Sequence, residues 1–271
     1  MLRSIKDMEG ATIGATDGII GRVKDFYFDD EAWVIRYLVV EAREGQLQRS
    51  VLISPISIGQ PNWSEKILPT SLTRRQVKGS PDIDTDKPVS RQQEMGYLGY
   101  YGYGSYWGGG GLWGASLYPD VLQAGLRPSE SRTDKAASTE GVVGQHRHDD
   151  PHLRSSNTVR RYYVHASDGD LGHVGGFLVE EKSWAIRYLI VNTSNWWLGH
   201  DVLIAPQWID HVDWAQSTVS VGLTREAIKR SPPYDSAAAL DREQEAGIHT
   251  HYGRPGYWPR EARQANVEAG S

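Results

Sequence analysis

The amino-acid sequence predicts a mainly β protein built from two small tandem β-barrels. The first observation is that the octapeptide Trp33–Val40 (WVIRYLVV) returns as Trp184–Val191 (WAIRYLIV), 151 positions later. The second is that this offset relates residues 2–107 to residues 153–258 without a gap, with about a third of the positions identical. The third is that each repeat is a series of short β-branched and aromatic runs between turn signals. Each repeat is long enough to bury a core of its own.

The first elements of each repeat are predicted to be adjacent antiparallel strands. Asp17-Gly18 is a tight-turn dipeptide, and the alternating run at residues 19–28 predicts the strand that follows it. Asp29-Asp30 supplies the next turn, and Trp33–Val40 predicts the neighbouring strand. Side chains alternate across a strand, and both faces of this run are largely apolar. We therefore expect a central strand that is covered on both sides.

The later elements of each repeat are a short strand and a short helix. Val51–Ile53 forms a third run that ends at Pro55, because proline cannot donate a ladder hydrogen bond. Thr73, with Gln76 three residues later, predicts a capping box at the start of a helix, and Ser80-Pro81 ends that helix. Several short strands followed by one helix indicate a small barrel, since closure removes exposed strand edges.

The repeat divides the chain into four regions. Residues 1–85 are the first predicted barrel, and residues 86–152 are an aromatic tail followed by a glycine-rich, histidine-containing linker without regular structure. Residues 153–236 are the second barrel, and residues 237–271 are a C-terminal tail.

Composition excludes several classes of function. The apolar and charged fractions of 39% and 23% are typical of a soluble globular protein. The net charge of -5 gives no sign of a nucleic-acid partner. The absence of cysteine excludes disulfides, zinc-thiolate sites and cysteine nucleophiles. There is no apolar segment of signal-peptide or membrane-spanning type, so a cytoplasmic protein is expected.

The order of these motifs resembles the PRC-barrel family. The resemblance lies in DG-x-x-G-x-V-x-D-F at Asp17–Phe26, in WVIRYLVV, in VLISP and in SLTRRQVKGSPDID. That family is named after the cytoplasmic domain of the H subunit of bacterial photosynthetic reaction centres, and it includes a domain of a ribosome maturation factor. Residues 87–107 are similar to a tail common in stand-alone bacterial members. The resemblance implies the barrel fold, whereas one small barrel can host unrelated roles.

Two sets of charged residues within the repeats are interpreted as structural. Asp25, Asp29 and Asp30 form a carboxylate cluster at a strand end, where Glu180 and Glu181 stand in the second repeat. A metal or general-acid role is open, but the preference of aspartate for solvated turns favours a turn. Arg36 and its counterpart Arg187 lie within apolar strands, and we expect internal pairing rather than a partner contact, since arginine is rarely buried without a partner.

Histidines supply the metal candidates. His146, His148 and His152 lie at metal-clip spacing in GQHRHDDPH. The surrounding composition favours a solvated linker instead. His249 and His251 are expected to be tail residues, so no metal and no cofactor are predicted.

The glycine-aromatic run at residues 96–114 is expected to pack on the protein's own surface or on a partner. It has no phosphate-cradle motif and no basic residues for stacking on single-stranded nucleic acid. Each repeat ends in an aromatic tail that we expect to cover a barrel surface, because exposed aromatic patches are rare. We expect the tails to exchange, each covering the other barrel, and the alternative is that each folds back on its own barrel. The residues assigned to interaction or inter-barrel packing are Trp33, Arg36, Tyr37, Tyr101, Tyr106, Trp107, Trp184, Arg187, Tyr188, Tyr252, Tyr257 and Trp258.

The leading functional hypothesis is a non-enzymatic tandem barrel that acts as a protein-interaction module. The predicted partner is another protein, and a homo-oligomer stays open as an alternative. A second hypothesis, implied by the resemblance, is an accessory protein of photosynthetic or electron-transport membrane complexes. A third is a small-ligand binder or enzyme that uses a cleft between the barrels.

Overall fold

The structure is a computed structural model, and it describes residues 1–44, 47–81, 89, 91–107, 109–122, 152–193 and 200–258. The prediction of a mainly β protein is confirmed, and the strands form two mixed sheets. No helix within these ranges is long and apolar enough to cross a membrane.

The first repeat contains six strands, three helices and two 3-10 turns among its described residues. They are β1 (Leu2–Ser4), α1 (Ile5–Met8), β2 (Thr12–Ala15), β3 (Gly18–Asp29), β4 (Val34–Glu44), β5 (Leu47–Ile53), the turn Pro55–Ser57, β6 (Ile67–Pro69), α2 (Arg74–Lys78), α3 (Arg91–Tyr101) and the turn Pro119–Leu122.

The second repeat places its elements at nearly the same offset. They are β7 (Leu153–Ser155), α4 (Ser156–Val159), β8 (Tyr163–Ala166), β9 (Gly169–Glu180), β10 (Ile186–Asn192), β11 (Asp201–Ile204), the turn Pro206–Trp208, β12 (Ile209–Asp213), β13 (Thr218–Val221), α5 (Arg225–Lys229) and α6 (Arg242–His251). The offset of 151 is therefore a structural repeat as well as a sequence repeat.

Each sheet is built around the predicted pair of adjacent strands. The first sheet has the order β5-β4-β3-β2-β6, and the second has the order β11-β10-β9-β8-β13-β12. β4 lies between β3 and β5, so the prediction of a central strand is confirmed. β2 pairs with β6 in parallel, which makes the sheet mixed. Within the described residues neither sheet closes on itself, so the predicted barrel closure is not observed.

Local sequence explains how the elements begin and cross. Thr73 accepts from the backbone N–H of Gln76 while the Gln76 side chain accepts from that of Thr73, so the predicted capping box is confirmed. Gly21 is required where β3 meets β4, because a Cβ atom there would lie 2.0 Å from the carbonyl oxygen of Glu41. Gly172 makes the same close approach in the second repeat, at 2.0 Å from the carbonyl oxygen of Asn192.

The first strand of each repeat belongs to the sheet of the other repeat. β1 pairs with β9 (Arg3 opposite Val179), and β7 pairs with β3 (Arg154 opposite Phe28). The two strands share the sequence LRS. This exchange is reciprocal, so each sheet contains one strand that comes from the other repeat.

The repeats also meet directly at the turns before β4 and β10. The backbone N–H of Ile35 donates to the carbonyl of Trp184 (2.9 Å), and that of Ile186 donates to the carbonyl of Trp33 (2.7 Å). Both tryptophans have a positive φ, 54° and 59°, a conformation that is uncommon for bulky residues. The expected strand start at Trp33 is therefore wrong by one residue: Trp33 ends a turn, and its left-handed backbone aims its carbonyl at the other repeat.

Candidate functional site

The structure places Arg36 in a buried cluster at the end of the first repeat. Its side chain is paired with Asp29 (3.3 Å), and it donates to the carbonyl of Leu112 (2.6 Å). The guanidinium also stacks on the rings of Tyr106 (3.8 Å) and Trp113 (4.7 Å). Arg36 is only 2% exposed, so the internal pairing predicted for it is confirmed. Cation–ring contacts of this kind strengthen when water is excluded.

Helix α3 adds a second set of polar groups to this cluster. The Tyr106 hydroxyl donates to the Glu94 carboxylate (2.6 Å), and Nε2 of His152 contacts the same carboxylate (2.6 Å). Burial raises the pKa of Tyr106 well above its ordinary value, and the Glu94 carboxylate adds to the effect. Tyr106 therefore stays a hydrogen-bond donor at any physiological pH.

The second repeat builds the same cluster from the corresponding residues. Arg187 pairs with Glu180 and stacks on Tyr257 (4.1 Å), whose hydroxyl donates to Glu245 (3.1 Å). Burial opposes ionisation of Glu180, but hydrogen bonds from Ser183 and Arg187 outweigh it and lower its pKa. The pairing predicted for Arg187 is confirmed, although its side chain is more exposed than that of Arg36.

His249 joins this second cluster from helix α6. Its Nδ1 lies 2.9 Å from the carbonyl of Pro255, and its Nε2 lies 2.9 Å from the Tyr188 hydroxyl. A carbonyl can only accept, so the neutral ring carries its proton on Nδ1 and accepts from Tyr188 on Nε2. Burial lowers the pKa of His249, which favours this neutral form.

The aromatic tails pack on their own repeats, so the predicted tail exchange is wrong. In the first repeat Tyr97 packs edge-on against Tyr37 (5.1 Å), and Tyr101 is buried beside it. In the second repeat Tyr252 packs on Trp208 (4.9 Å). What the repeats exchange are their first strands, which carry no aromatic signal. A cation–ring contact holds the last tail residue of each repeat, with Arg91 over Trp107 in the first and Arg242 over Trp258 in the second.

The acidic residues interpreted as a solvated turn instead hold the exchanged strand. Asp25 accepts from the hydroxyls of Ser155 and Ser156 and from the backbone N–H of Asn157. Asp30 forms an ion pair with Arg154 (2.7 Å), and burial raises the pKa of its carboxyl despite that partner. The solvated-turn interpretation is therefore wrong for Asp25 and Asp30, whose carboxylates face the other repeat. Asp29 does accept from the N–H groups of its own turn, at Glu31 and Ala32, but it is buried.

The histidines considered as a metal clip, against which a solvated linker was favoured, lie only partly within the described residues. His146 and His148 lie outside them, and His152 contacts Glu94 and Tyr106. Among the described residues no group of three or more histidine, aspartate or glutamate side chains has a geometry suited to a metal ion. His251, in α6, lies 2.7 Å from the carbonyl of Ala227.

An open cleft of about 660 Å³ lies between the two repeats. The turn at residues 30–33 and Leu112 form one side of it. Residues 185–187 and most of residues 206–214 form the other. Its walls mix apolar side chains such as Trp33 and Trp214 with exposed polar ones such as Gln207 and His211. This cleft is the candidate functional site, because it is the large described recess to which both repeats contribute.

The counterpart of the cleft on the other side of the molecule is filled. Trp113 is fully buried there, and its indole N–H donates to the carbonyl of Ser183 (2.8 Å). At the offset of 151, Ala32 is the counterpart of Ser183 and Arg187 is the counterpart of Arg36. Ala32 and Arg187 both line the open cleft. The packing predicted for the glycine-aromatic run is confirmed for Trp113, which contacts both repeats.

No protein-family model matches the chain, and no curated protein matches its sequence.

Sequence reasoning missed Glu94 and did not single out Trp113 within the glycine-aromatic run, and it considered a cleft between the repeats without naming the residues that line it. A signal existed for the glutamate, since Arg91-x-x-Glu94 recurs as Arg242-x-x-Glu245 at the common offset. Trp113 lies in a segment that is not repeated, so the offset could not identify it.

Proposed function

We propose that this chain is a non-enzymatic protein-interaction module of the PRC-barrel type whose partner binds in the cleft between the repeats. The observation that carries the proposal is the cleft of about 660 Å³, which is open where its counterpart is filled by a tryptophan of the chain. The protein fills one of the two corresponding recesses with a segment of its own chain. The open cleft is therefore suited to bind a peptide segment of a partner.

The fold part of the proposal is supported by the order of motifs and strands. The PRC-barrel resemblance rests on three successive motifs, the DG turn, the WVIRYLVV strand and the capped helix. In the structure they correspond to the start of β3, to β4 and to α2. The same series recurs in the second repeat with a central β10.

The interaction part is supported by how the ionisable groups are used. Asp29 and Arg36 pair with each other inside the protein, and Glu94 is shared by Tyr106 and His152. These groups stabilise the tails, and none of the five lines the cleft. The cleft instead offers main chain, tryptophan faces and exposed polar side chains, a mixture typical of interaction surfaces.

Site-specific photo-crosslinking in the source cells tests this function. A photoreactive residue at His211, in the cleft, should capture one defined partner, whereas the same residue at the exposed Lys229, outside the cleft, should not. Adding Gln207→Trp, which places a large ring into the cleft from an exposed position, should abolish the capture. Equal capture from both positions, or capture that survives Gln207→Trp, would contradict the proposal.

A further inference from the structure

We infer that the partner inserts a tryptophan from a glycine-containing segment with adjacent basic residues into the cleft between the repeats. The inference rests on the proposed function and specifies the chemistry of its partner. It follows from the way the chain fills the counterpart of the cleft with its own Trp113.

The internal occupant shows what this kind of recess accepts. The Trp113 indole lies between the guanidinium of Arg36 and the other repeat, and its N–H is satisfied by the Ser183 carbonyl. The segment that carries it is a tight loop, with bridges between Gly111 and Gly114 and between Trp113 and Ser116. A Cβ atom at Gly111 would lie 2.3 Å from the Ser116 carbonyl oxygen. Glycine is therefore needed beside the tryptophan.

The open cleft contains the counterparts of the groups that contact Trp113. The turn that ends in Trp33 has the same closing hydrogen bond as the turn that ends in Trp184, from its N–H to the carbonyl four residues earlier (2.8 Å in both). The carbonyl of Ala32 thus takes the place of the Ser183 carbonyl as the indole acceptor. Arg187, which lines the cleft, takes the place of Arg36.

The described part of the chain offers no second tryptophan for this position. Trp33 and Trp214 already form walls of the cleft. The other described tryptophans pack elsewhere, and they are Trp63, Trp107, Trp184, Trp208 and Trp258. Residues 123–151 and 259–271 contain no phenylalanine, tyrosine or tryptophan. An occupant from another protein is therefore inferred.

The rim of the cleft selects for positive charge next to the tryptophan. Glu31 and Asp210 are exposed and line the cleft, whereas their counterparts at the filled recess are Lys182 and Gly59. Complementary charges at an exposed rim steer association and specificity. A lysine or arginine beside the inserted tryptophan meets this rim, and an acidic residue there is repelled.

Peptide binding to the full-length chain tests the inference. The probe is an acetylated, amidated peptide that copies residues 109–116 (GGGLWGAS) with two lysines added at its C-terminus. Titration calorimetry should give one site, and the matched peptide with alanine in place of tryptophan should bind at least about tenfold more weakly, a difference of about 1.4 kcal/mol. The peptide with two glutamates in place of the lysines should also bind more weakly, and Asp210→Lys should remove that difference.

Variants of the chain locate the site. Gln207→Trp should abolish peptide binding, while Lys229→Trp, also a surface substitution, should leave it unchanged. Peptide binding that is insensitive to the tryptophan or to Gln207→Trp would overturn the inference. Concentration-dependent dimerisation that Gln207→Trp abolishes would assign the cleft to a second copy and would also overturn it. If His211 captures a partner but the peptide does not bind, the proposed function stands and this inference fails.

Discussion

Replacing Arg36 with methionine should destabilise the protein far more than the equivalent replacement of Arg187. The side chains of Arg36 and Asp29 are 3% and 6% exposed, whereas those of Arg187 and Glu180 are 16% and 24% exposed. Removing one partner of a buried pair leaves the other charge without compensation and costs about 3–5 kcal/mol. The partly exposed Arg187–Glu180 pair lies nearer to the solvent-exposed limit, at which a pair contributes about 1 kcal/mol or less.

The structure supplies further terms of the same sign. Arg36 also donates to the carbonyl of Leu112 and stacks on two rings, Tyr106 and Trp113, while Arg187 stacks on one ring of the described residues, that of Tyr257. We therefore expect Arg36→Met to lower the free energy of unfolding by at least about 2 kcal/mol more than Arg187→Met, given these pair energies.

Urea unfolding followed by circular dichroism measures both variants against the wild type. The slopes of the transitions should be similar, so that the midpoints report stability. Asp29→Asn combined with Arg36→Met should recover part of the loss, because the buried carboxylate is then neutral. Equal losses in the two single variants, or a larger loss for Arg187→Met, would refute the assignment of Arg36 as the buried member.

Three further predictions concern the exchanged strands, the second tail and pH. Deleting residues 1–8 removes β1, so amide-exchange protection should fall in β9 and be retained in β3; loss confined to β3 would contradict the strand exchange. Deleting residues 237–271 uncovers Tyr188 and Trp208, so amide protection should fall in the second repeat, and loss only in the first repeat would restore the tail-exchange model. Burial lowers the pKa of His249 below its ordinary 6.5, so protonation favours the unfolded chain. The stability contributed by the neutral ring is therefore fully present above pH 6.5 and is lost as the pH falls toward the folded-state pKa. The stability advantage of the wild type over His249→Asn should therefore shrink between pH 7.5 and about 5.5, and an advantage that grows on acidification would show that the ring is charged in the fold.

The sheet cores could be predicted from sequence because they depend on local patterns. Alternating apolar residues predict the WVIRYLVV strand and its neighbour. The spacing of Thr73 and Gln76 predicts the capping box. Arg36 was also predictable as a paired residue, since a guanidinium between apolar neighbours needs a partner. The identity of that partner, Asp29, was not, because the turn that brings it back depends on tertiary contacts.

The strand exchange could not be predicted. The motif LRS begins both repeats, so the sequence of β1 does not indicate which of the two sheets it joins. The offset that revealed the duplication is identical in both arrangements. The choice is marked by carboxylates, since Glu181 and Asp30 meet Arg3 and Arg154 and Asp25 accepts from the Ser155 hydroxyl. In the sequence, acidic residues near a strand end look like any solvated turn.

The reciprocal strands also set an order of events during protein synthesis. The first repeat is translated first, but at Tyr27–Asp29 the side of β3 that faces away from β4 is paired, among the described residues, only by Leu153–Ser155. Residues 30–152 must be made in between, which takes on the order of ten seconds at ordinary elongation rates. During that interval the nascent chain presents an open strand edge beside Phe28 to the cell, and such edges pair readily with other chains. A chaperone that covers this edge until residue 155 has left the ribosome would protect the first repeat from pairing with a neighbouring nascent copy.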